Sequence, residues 1–214
     1  MATRKTIQRI PLVAMIAFVF FYVLAALNYP GGSGINPYFD GFSLRYNYLC
    51  DLLDTYSVGG ALNSGRLWAR MALVVLSLGL ILLWIRLPEL LWGKGWQGQF
   101  MRINGILALG ITLFLASENH DLVLRLAGVF GILAVGFAIA GLWRSNHIKL
   151  AGFGIWCLLI FLINYLLYET GSLLTLLPVI QKITFLSFIF WFAWMNLLKV
   201  DPNTEQTLPP VPKH

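Results

Sequence analysis

The side chains able to do chemistry gather in a few short stretches. Asn47, Asp51 and Asp54 recur at i, i+4 and i+7, so a helix there would carry them as one polar stripe. Arg66 and Arg70 stand one turn apart at the start of an apolar run. Glu118, His120 and Asp121 share a very short polar turn, Glu169 closes another apolar run, and Lys182 stands one turn inside the last. Brought together, these groups would make a pocket for a lipid headgroup. Arg66, Arg70 and Lys182 would hold a phosphate, because arginine offers a planar fork and lysine a point charge. Asn47, Asp54, Glu118 and Glu169 would complete the ligand-binding wall. Asp51, His120 and Asp121 would act as catalytic acid–base groups, histidine being the residue type suited to proton transfer near neutral pH.

A plainer reading uses the same residues. Asp51 and Asp54 would pair with Arg66 and Arg70, and Glu169 with Lys182, clamping a loop over a helical bundle. Cys50 beside Asp51, with His120 as base, would be a nucleophile, but neighbours in sequence do not face each other on a helix. Cys50 and Cys157 are the only cysteines. No HExxH, CxxC, P-loop or nucleophile-elbow pattern occurs, so neither a metal nor a cofactor is expected.

The elements that must position these groups follow from composition. The chain has 214 residues, 58% of them hydrophobic and only 11% charged, with a mean hydropathy of +0.75. Soluble domains are about 25% charged, so an ordinary cytosolic protein is excluded. Apolar runs occur at residues 10–28, 67–85, 100–117, 122–143, 150–168 and 178–198. Each is near the roughly 20 residues that cross a bilayer as a helix. Strand-like alternation is lacking, which argues against a β-barrel. The expectation is an all-α polytopic bundle of six transmembrane helices. Residues 1–199 would form the membrane domain and 200–214 a disordered cytoplasmic tail. The outer loop, 29–64, would carry a short helix over Phe42–Tyr56. The first run exceeds the 7–15 residues of a signal-peptide core, so it is read as a retained helix.

With the N-terminus inside, ten basic residues fall on the inner side and five (Arg45, Arg66, Arg70, Arg125, Lys182) on the outer. The positive-inside rule favours that orientation, with both termini cytoplasmic. The net charge of +6 then faces anionic lipid, and no nucleic-acid partner is expected. In the fourth run Ala127, Gly131, Ala134, Ala138 and Gly141 form a stripe of small residues. Such a stripe serves internal packing or a homodimer face.

Tyr29-Pro30-Gly31-Gly32, then Asn47 through Leu53, then Gly60 and Asn63 resemble a family of bacterial multi-pass membrane proteins of unknown function. The first outer loop is also similar to the Ser-Asp-Leu loop of the autophagy-modulator (DRAM-like) six-span proteins. In that comparison Asp51 matches the acid, Cys50 stands where serine is common, and His120 matches a histidine found in part of the family. The resemblance covers about 35 residues and implies a six-helix bundle in a bacterial inner membrane, with no established reaction. The function expected is binding of membrane lipid or a small ligand through the outward-facing polar cluster. The competing expectation is a lipid-headgroup hydrolase or transferase. A transporter is disfavoured, since mid-membrane positions lack ionisable residues.

Overall fold

The computed structural model describes residues 2–116 and 119–198, with side chains from Arg9 onward. Glu118 and the tail from residue 199 lie outside the described residues. Six α-helices follow one another: α1 (Ala2–Leu27), α2 (Arg66–Trp92), α3 (Trp96–Thr112), α4 (His120–Arg144), α5 (Ile148–Thr170) and α6 (Leu177–Asn196). Among the described residues there is no strand beyond two isolated bridges in the loop, Gly31–Asp40 and Tyr56–Leu62.

All but α3 are long and apolar enough to cross a membrane. At 17 residues, α3 is about 26 Å long, slightly short of a hydrocarbon core of about 30 Å. Lipid is the solvent that explains the surface. Ile16 is 70% exposed and Phe190 67% exposed, and large apolar side chains stand out along every helix. In water such a continuous apolar surface would drive association.

Successive helices run in alternate directions. At the loop end, α6 meets the loop through Lys182, and α4 meets α5 through Asp121 and Tyr168. At the opposite end the Trp92 indole donates to Phe137 O, and the Arg86 guanidinium donates to Asn196 O. Arg144 lies over the Trp92 ring at 5.6 Å. Helix α2 lies at the centre, against α1, α3, α4 and α6. It continues through Pro88 to Trp92, beyond residue 85 where its apolar run ends. A proline removes one helix hydrogen bond, and here Pro88 is buried.

The small-residue stripe of α4 faces inward. Ala134 and Ala138 are fully buried, and Gly141 sits against Leu91 and Trp92 of α2. These positions of the stripe thus pack within the chain.

The loop differs most from expectation. Residues 42–56 form turns and a single 3-10 turn, Cys50–Leu52, in place of a helix. Side-chain hydrogen bonds to nearby backbone compete with helix formation here. Asn47 accepts from Ser43 N, and Asp51 accepts from Tyr48 N. The turn drives Leu52 and Leu53, each 1% exposed, into a second apolar core with Ala25, Tyr29, Ala69, Leu73, Leu115 and Val123. The loop is therefore a plug in the end of the bundle.

Candidate functional site

Two buried asparagines organise the plug. The amide of Asn47 donates to Gly32 O (2.8 Å) and to Asp51 Oδ2 (2.9 Å). The amide of Asn63 is shared among the carbonyls of Asp51, Leu52 and Asp54, and its Oδ1 accepts from Gly65 N at 2.9 Å. Asn63 thus ties the start of α2 to the 3-10 turn, and the Ser64 hydroxyl donates to Asn28 O.

The cations serve the same structure. Arg70 donates from Nε and Nη2 to Leu53 O, and Arg66 donates to Asn63 O. Lys182 donates to Asn47 O and Pro178 O. The expected Asp51 and Asp54 pairs with Arg66 and Arg70 do not form, nor does Glu169 with Lys182. Buried loop carbonyls need donors, and these side chains supply them. Glu169 accepts instead from Arg125 at 2.9 and 3.1 Å. Asp121 accepts from Tyr168 at 2.6 Å and lies 3.5 Å from His120 Nδ1. His120 Nε2 is buried, with no hydrogen-bond partner among the described residues.

The candidates thus fall into three groups. Asn47, Asp51 and Lys182 face one another beside Gln181, whose Oε1 accepts from Leu49 N. Asp54 is exposed and feels the charges of His120 and Arg70. Arg125, Glu169, Asp121 and Tyr168 bridge α4 and α5. Among the described residues no three His, Cys, Asp or Glu side chains come together as a metal site.

Burial raises the Asp51 carboxyl above its ordinary value, while the bonds from Asn47 and Tyr48, and more weakly Lys182, pull it down. Partial desolvation also raises Asp54, against the pull of His120 and Arg70. Burial, reinforced by Asp51, pushes the Cys50 thiol up to about 12. A thiol so placed stays protonated at neutral pH and is a poor nucleophile.

The Asp51 shift has a pH signature. Folded Asp51 holds its proton more tightly than the unfolded chain does, so the folded form carries more protons between the ordinary and the raised value. Stability contributed by this group is therefore full at acidic pH and falls as pH rises from about 4 through the folded pKa. Asp51→Asn keeps one oxygen to accept both bonds and removes the titration. In thermal melts from about pH 4 to about pH 8, it should flatten that decline and melt no lower than the parent at neutral pH. Asp51→Ala loses both acceptor contacts and should cost about 2–3 kcal/mol. Equal melting of the two variants would contradict this role.

Beneath the plug the bundle is hollow. A cavity of about 270 Å³ lies between α2, α3, α4, α5 and α6. Its upper end is formed by Cys50, Gln181, Thr184 and Thr112, and its walls include Trp84, Phe161 and Phe188. Ala127, Gly131 and Ala134 of the small-residue stripe line it as well, with Gly128 beside them. The partial exposure of Cys50 coexists with a deeply desolvated thiol because the residue lines this internal space.

Gln181, Thr184, Phe161 and Trp84 were not singled out in the sequence as site residues. Gln181 and Thr184 did carry a signal, as polar residues flanking Lys182 inside an apolar run. The aromatic residues carried none, since phenylalanine is common in any such helix. No protein-family model, curated protein or solved structure matches the chain.

Proposed function

We propose that this chain is a six-span membrane protein that binds a lipid or other small apolar ligand in the cavity beneath its outer loop. The polar cluster, in this reading, holds the cover over that cavity. The cavity is the observation that carries the proposal. Protein interiors are close-packed, with few voids larger than a water molecule, yet here five helices leave about 270 Å³ open. Apolar cavities of this kind stay dry and take up apolar molecules.

The loop end carries Arg45, Arg66, Arg70, Arg125 and Lys182 against Asp40, Asp51, Asp54, Asp121 and Glu169 among the described side chains. The opposite end carries Arg9, Arg86, Lys94, Arg102, Arg144 and Lys149 against Glu89 alone. That imbalance supports an orientation with the termini in the cytoplasm, in the inner membrane of a bacterium, and with α3 as the sixth span. Membrane lipids are then the nearest source of ligand. The hydrolase or transferase reading is weaker. Asp51 Oδ2 already accepts two bonds, and Arg66, Arg70 and Lys182 are committed to loop carbonyls.

Native mass spectrometry of the full chain released from its own membrane tests the proposal. The expected result is one apolar molecule retained per chain after detergent is stripped. A bare chain as the sole species would contradict it.

A further inference from the structure

The lining of the cavity also restricts what it holds and how that ligand arrives. Among the described residues no Asp, Glu, Lys, Arg or His lines it. A carboxylate or phosphate buried there would lack a partner, at a cost that excludes the ionised form. The upper end nevertheless offers weak polar partners. The Thr184 and Thr112 hydroxyls donate to Ile180 O and Leu109 O of their own helices, which leaves their oxygens free to accept. The Gln181 amide makes only a 3.6 Å contact to Cys50 Sγ from its nitrogen, so one of its two N–H groups remains for a ligand. By proportion with a cavity of about 150 Å³ that takes benzene, the space suits about eleven heavy atoms.

The α4–α5 seam is the weak wall. Buried residues on α5 are Leu150, Ala151, Gly154 and Cys157, all in its half away from the loop. From residue 158 to 170 none is buried. Phe161 closes the seam across Gly128, where an added Cβ would sit 3.6 Å from the ring. Nearer the loop the seam is held by the Arg125–Glu169 and Tyr168–Asp121 contacts, all on partly exposed side chains. Exposed pairs of this kind bind weakly. The opposite wall is tighter, because Gly105 of α3 is pressed onto the Trp84 ring.

We infer that the cavity takes an uncharged, single-chain amphiphile of the long-chain alcohol class, admitted sideways from the bilayer between α4 and α5. This assignment rests on the ligand-binding reading above and names its ligand class and route. The ligand hydroxyl donates to Thr184 Oγ1 and accepts from the free Gln181 N–H, and the chain lies along Phe161, Phe188 and Trp84.

The test uses the full chain in nanodiscs with decan-1-ol, decane and decanoate. Native mass spectrometry gives stoichiometry, and stopped-flow tryptophan fluorescence gives rates. Decan-1-ol should bind one per chain, at least about tenfold more tightly than decanoate at about pH 8. Thr184→Val should weaken decan-1-ol about fivefold, the value of one hydrogen bond, and leave decane unchanged. Arg125→Gln combined with Glu169→Gln should speed association and dissociation together, with Kd held within about twofold. Failure of all three probes to bind overturns the cavity reading itself. Decanoate binding as tightly as decan-1-ol overturns the neutral-ligand assignment while the binding reading stands. Unchanged rates in the double variant overturn the α4–α5 route alone.

Discussion

Asn63→Leu should unseat the loop from the bundle and lower stability by about 3–5 kcal/mol. Asn63 is fully buried, and its one amide serves two carbonyls of the 3-10 turn and that of Asp54 just beyond it, while its oxygen holds Gly65 N. Leucine matches the size and supplies none of these bonds. Carbonyls left buried without donors carry the full desolvation penalty, which exceeds the net value of the bonds themselves. Asn63→Asp should be worse, since it turns an anion toward three carbonyl oxygens. Thermal and denaturant melts in detergent measure the loss. Iodoacetamide labelling of Cys50 reports where it occurs. The thiol should resist labelling in the parent, where burial keeps it protonated, and should become labelled in Asn63→Leu well below the temperature at which the helices melt. Parent-like stability in Asn63→Leu would show that the plug is held by something else.

The second large effect falls on ligand occupancy. Gly131→Phe should remove at least about nine-tenths of the bound ligand while leaving the fold intact. The position lines the cavity, and an added Cβ there would lie 4.0 Å from Ala108 Cβ, an ordinary contact. The ring can therefore fill space that the parent leaves empty. Replacing glycine inside a helix also favours the helix by a few tenths of a kcal/mol. Gly105 is the contrasting position. A Cβ there would lie 2.4 Å from the Trp84 ring, so any larger residue must displace the indole and destabilise the α2–α3 contact. Circular dichroism checks that Gly131→Phe keeps its helices, and native mass spectrometry reads the retained mass. A variant that keeps both the helices and the bound mass would place the ligand elsewhere.

The helices were legible in the sequence because lipid selects for them. A segment facing hydrocarbon must be apolar over its whole length, and runs such as 122–143 state that without ambiguity. The ends were less legible. Helix α2 passes Pro88, because losing one hydrogen bond near the end of a 27-residue helix does not outweigh the packing of Leu87 and Leu91. In the loop, the spacing of Asn47, Asp51 and Asp54 matches a helical stripe although no helix forms there. Two of the three do meet, at 2.9 Å, but through a turn that Asn47 ties to Gly32, fifteen residues earlier. Such long-range bonds leave no local periodicity.

The candidate site was legible as a set of residue types and not as a role. Arginine and lysine near helix ends suggest a phosphate or a carboxylate, and the buried backbone of a plug is an equally good acceptor. The cavity was invisible for a different reason. Ala127, Gly131 and Ala134 were recognisable as small, but small residues can admit a partner helix or leave a void. Only the positions of α5 and α6 show which happens at each.

Whether the space beneath the plug holds an apolar ligand can be seen in a high-resolution map of the full chain, purified from its own membrane into nanodiscs without added lipid. One elongated, unbranched density should run between Trp84, Phe161 and Phe188 and end at Thr184 and Gln181. Ordered waters bonded across that space, or side chains closed together so that it vanishes, would show that no apolar ligand is held there.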